Sequence, residues 1–406
     1  MPESGKAKAV DVAKAGENLM RGARAAGIGL GPAAGRRRRH NWVAATNAQV
    51  MTVLNLSQGG PMKPHSDSSR LPLALFVLAV AAASCVPPPA GAAQVAASIE
   101  FDTAARPSSL PEDMQPLPGA SLKFLAIKAI DGSKINAALW QPDNVAPSRA
   151  TIIVQVHGSG SNLAELPLRA VARALSAKGY AALTISTRGH DEHLNTDNFF
   201  DVRKDIEAAV ATAKALGYPS IVLQGHSLGT IQVEYYAATD WDPVIKAVIL
   251  TGPFAKLPWK SRNILIQNEE VYEMLAAAAR NAASTGKVAD ILPMRMPYLG
   301  GRQTAVTAQH FLTYRDEQTS AADGTYWIAR IAHPILLVRD EADDIILPFE
   351  PHMLLSAAHA QGSLVASITY VVAPDQHRPS AAGHIFTDNT QPLIDAISVW
   401  LAQQRL

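Results

Sequence analysis

Residues 221–229 read Ile-Val-Leu-Gln-Gly-His-Ser-Leu-Gly. Four residues of strand character run straight into Gly-x-Ser-x-Gly, and a helical pattern from Thr230 to Ala238 follows at once. Strand, sharp turn and helix form the context in which this short motif becomes a nucleophile elbow. Gly225 and Gly229 omit the side chains that would collide where a strand reverses into a helix. Ser227 would then sit on a strained turn with its hydroxyl exposed. The helix behind it directs N–H groups toward any anion formed there. Gly and Ser are common, so the flanks carry the reading; alone, the same letters describe an ordinary turn.

On either side, strands alternate with helices. Residues 122–130 and 133–141 read as a hairpin closed by Asp131-Gly132. Thr151–Val156 is apolar except for Gln155, as in a strand buried on both faces. Helix 165–178, strand Ala181–Ser186, helix 202–216, strand 221–224, helix 230–238 and strand 247–251 follow. The pattern resumes with strand 335–338, helix 350–359, strand 367–372 and helix Thr390–Gln403. This alternation predicts an α/β fold with a mostly parallel central sheet flanked by helices. Residues 255–330 interrupt it, and a structureless loop of that length is uncommon in a compact domain. The segment has helical stretches of its own (269–283 and 304–314). It is rich in aromatics and Met, including Trp259, Tyr272, Met274, Tyr298, Phe311 and Trp327. It reads as a helical cap over the elbow, with any single aromatic expected first to pack the cap's own core.

A serine hydroxyl needs a base to take its proton and a third group to orient that base. After an elbow, these partners belong at the carboxyl ends of later strands, in the order serine, acid, histidine. Strand 335–338 ends in Arg339-Asp340-Glu341-Ala342-Asp343-Asp344. Strand 367–372 is followed by His377 and by Gly383-His384. His226, next to Ser227 in sequence, reads as packing or support.

These pieces resemble the α/β-hydrolase family over roughly residues 122–401. His157-Gly158-Ser159-Gly160 falls where that family places its oxyanion loop. Thr187-Arg188-Gly189-His190 is similar to its Arg-Gly-His segment. Residues 340–346 are similar to its Gly-x-x-Asp-x-x-Val acid loop, with Asp340 in place of Gly and Leu347 as an extra residue before Pro348. The resemblance implies a serine hydrolase of the esterase or lipase kind, with Ser227 as nucleophile, Asp343 as acid and His384 as base. Asp344 and His377 stand as rivals for the last two roles. The backbone N–H groups of Ser159 and Leu228 become the oxyanion donors. No cofactor is implied. The expected substrate is a small ester with an apolar or aromatic group; a lactone, thioester or amide would use the same chemistry. A binding protein on a hydrolase scaffold is the alternative class, but such proteins usually lose a member of the set.

Composition narrows the field. Of 406 residues, 48% are hydrophobic and 17% charged, compatible with a large core. Residues 1–70 carry 11 Lys/Arg against 4 Asp/Glu, and the remainder 25 against 31, so the part expected to fold is mildly acidic and unsuited to nucleic acid. Cys85 is the only cysteine, which excludes intramolecular disulfides and multi-thiolate metal sites. No H-E-x-x-H spacing and no P-loop occurs. Residues 1–61, including Arg36–Arg39, read as a disordered or mis-annotated extension. Residues 62–93 read as a signal peptide. Lys63, His65 and Arg70 lead into the apolar run Leu71–Ala83, which is too short for a transmembrane span, and Ala90-Gly91-Ala92 fits a cleavage site. Residues 94–120 read as a linker and 121–406 as the hydrolase domain. The expected location is periplasmic or secreted. Ala82-Ala83-Ser84-Cys85 loosely resembles a lipoprotein box, so an anchor at Cys85 is the less favoured variant. If translation starts at Met62 and export follows, mass spectrometry of the native protein will recover no peptides from residues 1–61; peptides from residues 1–50 would refute this.

Overall fold

Nine strands form one sheet in the computed structural model, which describes residues 100–374 and 379–406. β1 (Phe101–Ala104), β2 (Ala120–Lys128) and β3 (Lys134–Pro142) pair antiparallel. From β4 (Thr151–Val156) onward, strands and helices alternate: α1 (Leu166–Ser176), β5 (Ala181–Ser186), α2 (Val202–Ala215), β6 (Ser220–His226), α3 (Leu228–Thr239) and β7 (Ile245–Thr251). An insertion follows, with α4 (Leu257–Lys260), α5 (Glu269–Ser284), two-residue strands β8 (Met296–Pro297) and β9 (Gln303–Thr304), α6 (Ala308–His310) and α7 (Gly324–Ile328). β10 (Pro334–Asp340), α8 (Phe349–Ala358), β11 (Ser367–Ala373), the short α9 (Ala381–His384) and α10 (Thr390–Gln403) complete the chain. The sheet order is β1-β2-β3-β5-β4-β6-β7-β10-β11, and the strands from β5 to β11 in that order are parallel.

The pleat distributes the core to both faces. On β4, Ile152, Val154 and Val156 pack with Ile206, Val210 and Ala213 of α2. Ile153 faces the other way, toward Val171 and Leu175 of α1 and Ile397 and Trp400 of α10. Each such buried aliphatic contributes about 1.5–3 kcal/mol relative to exposure. Gln155, the one polar residue of β4, is fully buried yet satisfied: its amide donates to Gln224 on β6, and its carbonyl accepts from Thr184 on β5. The polar interruption in the sequence is thus a cross-strand row through three adjacent strands.

The reading of 94–120 as a linker does not hold over the described part. Phe101–Ala104 pairs with β2, Met114 is fully buried beside Phe124 and Trp140, and Asp113 forms an ion pair with Arg169. A four-residue, largely exposed edge strand has no hydrophobic alternation to reveal it. Residues 1–99, with the signal-peptide reading and Cys85, lie outside the described residues. Among the described residues, no helix is long and apolar enough to cross a membrane.

The insertion has its own core of Ile266, Tyr272, Leu275, Leu292, Met296 and Phe311. The expected helix at 304–314 is not continuous: Gln303–Thr304 pairs with β8, Thr307 caps α6, and Phe311–Arg315 winds as a π-helix. Tyr272, Tyr298 and Phe311 are buried in that core, whereas Tyr314 packs with Phe199 and Leu228 outside the insertion. Buried polar ties fasten the cap to the rest of the domain. Lys260 of α4 pairs with Glu350 of α8 and donates to the carbonyl of Ile345. Asp197, after β5, accepts from Tyr314 at 2.6 Å and lies 3.0 Å from Nδ1 of His310.

Glu234 on α3 is buried with neither carboxylate oxygen hydrogen-bonded, and a Cβ at Gly324 would lie 2.6 Å from it. Burial, with some repulsion from Asp323, holds its carboxyl well above the ordinary range. The folded chain therefore keeps this proton more tightly than the unfolded chain. Its stabilising contribution is complete below the unfolded pKa and is lost as pH rises above it. Glu234→Gln removes this dependence, so its thermal stability relative to wild type should improve between pH 5 and pH 8 by about 1 kcal/mol or more. Denaturation curves at the two pH values check this; an unchanged difference would contradict the protonated state.

Candidate active site

Ser227 occupies the turn between β6 and α3 with φ 53° and ψ −123°, a conformation that costs a non-glycine residue about 1–3 kcal/mol. The surroundings leave the backbone no alternative. Its N–H donates to the Thr251 carbonyl at 2.9 Å, and the chain crosses itself so tightly that a Cβ on Gly225 would stand 2.3 Å from the Gly229 carbonyl oxygen. A Cβ on Gly229 would meet the Val156 oxygen at 2.4 Å. These two contacts are the physical content of the Gly-x-Ser-x-Gly spacing.

The predicted residues meet here. Ser227 Oγ lies 2.8 Å from Nε2 of His384, and Nδ1 of His384 lies 2.9 Å from Oδ2 of Asp343. With Nδ1 donating to the carboxylate, Nε2 is left to accept the serine proton. The other oxygen of Asp343 accepts the N–H groups of Ile345 and Ile346, both at 2.8 Å. Asp343 and His384 are buried, whereas Asp344 is exposed and makes no bond to the imidazole. Partial desolvation of its carboxyl and the neighbouring Asp343 raise the Asp344 pKa even so. His377 lies outside the described residues.

The two departures from the family pattern have structural uses. Asp340, in the glycine position, accepts from the Ala342 N–H at 2.9 Å and from the Asn389 side chain at 3.1 Å, bracing the acid loop against the start of α10. Leu347 donates its N–H to Glu350, the partner of Lys260. Arg339 donates to the carbonyls of Asp343 and Ile346, closing the loop from within. Gly383 permits the close approach of α9: a Cβ there would stand 2.5 Å from the Ala342 carbonyl.

Two further histidines serve the framework. His226 is fully buried, its ring 4.9 Å from that of His384, and burial holds its pKa well below the usual range. It remains neutral and adds no charge behind the His384 ring. His157 accepts the Thr187 N–H through Nε2 at 3.0 Å, and burial lowers its pKa to about 4. Arg188, of the Arg-Gly-His segment, pairs with Asp205 and Asp131 and pins the end of β5 to α2 and the β2–β3 turn.

The proposed oxyanion donors flank Ser227. Leu228 opens α3, so its N–H has no intrahelical acceptor. The loop carrying Ser159 passes beside Ser227: a Cβ on the preceding Gly158 would lie 2.9 Å from Ser227 Cβ. Behind them, a polar pocket of about 10 Å³, lined by Ser159, Leu228, Gln232, Asn195, Asp197 and His310, matches one water molecule in size. The Ser159 hydroxyl and the Gln232 carbonyl oxygen have no protein partner. Among the described residues, no group of three or more His, Cys, Asp or Glu is placed to hold a metal ion.

One residue of this site escaped the sequence reading. Glu165 precedes α1, and its carboxylate accepts the Gly158 N–H at 2.8 Å. The available signal was its type, since glutamate is not among the favoured residues at a helix N-cap.

A family model described as serine aminopeptidase, S33, matches residues 147–322, which include the elbow and stop short of Asp343 and His384. No curated protein matches the sequence. The fold is shared with Est1E from Butyrivibrio proteoclasticus, solved with ferulic acid bound, at 23% identity over 68% of this chain and 96% of that one, with a TM-score of 0.51. It is also shared with the α/β hydrolase GrgF from Penicillium sp. sh18, at 15% identity over 71% and 100% of the two chains, with a TM-score of 0.52. DcsB, solved with a substrate analogue, is 15% identical over 70% and 99%, with a TM-score of 0.51. The sheet order, the elbow and these matches agree: the chain has the α/β-hydrolase fold, and the matches support a serine hydrolase.

Proposed function

We propose that the protein hydrolyses carboxylic esters through Ser227, His384 and Asp343, and that it does so outside the cytoplasm. The observation that carries the chemistry is the unbroken line from Asp343 through His384 to Ser227 Oγ. In this reading His384 takes the serine proton as Oγ attacks the carbonyl carbon. The developing oxyanion is received by the N–H groups of Ser159 and Leu228, each such donor being worth about 10²–10³ in rate. His384 then protonates the leaving alcohol, and water releases the acyl group by the same steps in reverse order. Export rests on the pattern of residues 62–93 alone.

An apolar or aromatic substituent is favoured by a cleft of about 410 Å³ between the cap and the acid loop, lined by Ile264, Leu265, Tyr298, Leu299, Ile345 and Ala381. Est1E holds an aromatic acid, which accords with this choice. The family model's description supplies a second reading, an aminopeptidase, which would use the same acyl transfer on an amide.

A panel of p-nitrophenyl esters of increasing acyl length, run beside aminoacyl p-nitroanilides, separates the readings. Ester hydrolysis is expected to dominate and to fall by roughly 10³-fold or more in Ser227→Ala and in His384→Ala. Undiminished hydrolysis by Ser227→Ala would refute the assignment, and preferential cleavage of the anilides would favour the peptidase.

A further inference from the structure

The mechanism above leaves one carboxyl group beside the nucleophile without a task. Glu165 is partly buried on the wall of an open groove of about 720 Å³, together with Ser161, Asn162, His190, Asp191 and Ile385, the residue after the catalytic histidine. Its Oε2 accepts the N–H of Gly158 at 2.8 Å. The fit is close: a methyl group placed on Gly158 would touch Glu165 Oε1 and Ser227 Cβ, each at 2.9 Å. Glu165 Oε1 and Ser227 Cβ therefore both crowd the side-chain position of Gly158 and leave less than the width of a methyl group there. The next N–H along the chain is that of Ser159, one of the two oxyanion donors.

We propose that Glu165 is a positioning residue that holds the oxyanion loop through Gly158, and that it supports the reaction best in its protonated form. The inference rests on Ser227 being the nucleophile. The tether follows from the geometry: with the Gly158 amide fixed by the side chain, the Gly158–Ser159 segment is fixed relative to Ser227. The preference for the proton follows from charge. The reaction creates an anion one peptide away, and a carboxylate there opposes it, whereas a neutral carboxylic acid still accepts the Gly158 N–H through its carbonyl oxygen. Burial raises the Glu165 pKa to about 7, against the pull of the Gly158 N–H, of His384 and of the Ser161 hydroxyl. The neutral form is therefore substantially populated near neutrality.

The charged neighbours are accounted for. Arg169, one turn along α1, is engaged by Asp113 and the Ala164 carbonyl. Asp191, across the groove, is held by Asn162 and His190. His384 is the remaining titratable group facing Glu165, and its proton-bound form attracts the ionised carboxyl.

The test compares Glu165→Gln, which keeps an acceptor and cannot ionise, with Glu165→Ala, which loses both properties. Steady-state hydrolysis of p-nitrophenyl acetate is measured from pH 6 to pH 9, with thermal melting to verify folding. Glu165→Ala is expected to lower kcat by about 10²-fold with little change in KM. Glu165→Gln is expected to stay within about threefold of wild type at pH 6, and its activity relative to wild type should rise steadily toward pH 9. A folded Glu165→Ala enzyme with wild-type kcat overturns the proposal. So does a Glu165→Gln enzyme as impaired as the alanine variant, or a pH-independent ratio of the glutamine variant to wild type. A parallel Ser227→Ala control distinguishes this failure from failure of the nucleophile assignment, since only the latter leaves that control active.

Discussion

Behind Ser227 the backbone crosses itself at distances that exclude even a methyl group. The Gly229 carbonyl stands where a side chain on Gly225 would be, and the Val156 carbonyl stands where one on Gly229 would be. This crossing holds Ser227 at a positive φ, and Thr251, on the neighbouring strand β7, fixes it by accepting its N–H. Strain of this kind persists only when the surroundings overdetermine it. Here the surroundings are the centre of a nine-stranded sheet, so the strength of the core is converted into the precision of one hydroxyl.

The remaining site residues depend on the same sheet. Strands β10 and β11 run parallel to β6 and β7, so their carboxyl ends emerge on the side of the elbow. The acid loop is then tied down by its own neighbours: Arg339 and Asp340 satisfy its carbonyls and N–H groups, and Gly383 lets α9 lie against it. The imidazole is oriented by Asp343 and backed by a neutral His226. Each of these contacts fixes direction rather than supplying chemistry, and a hydroxyl needs such direction before it can act as a nucleophile.

Most of this arrangement was legible in the sequence because it rests on strong local signals. The glycine spacing at 225 and 229 reports a steric necessity. Runs such as Thr151–Val156 and Ile335–Val338 report burial on both faces of a parallel sheet. Other parts left no such trace. Phe101–Ala104 pairs through its backbone at an exposed edge, where side chains carry little pattern. The π-helical turn at Phe311–Arg315 follows from tertiary packing, with Tyr314 bonded to Asp197 more than a hundred residues away. Glu165 is set by its reach to Gly158, a contact that spacing alone does not announce.

The fastenings of the cap bear on how a substrate arrives. Swinging the insertion outward would strand Lys260 without Glu350, and Asp197 without His310 and Tyr314, all of them buried. Leaving a buried charge without its partner costs about 3–5 kcal/mol. The insertion is thus a fixed roof rather than a door. Any small molecule bound for Ser227 therefore enters at the margins of the insertion rather than through a hinge.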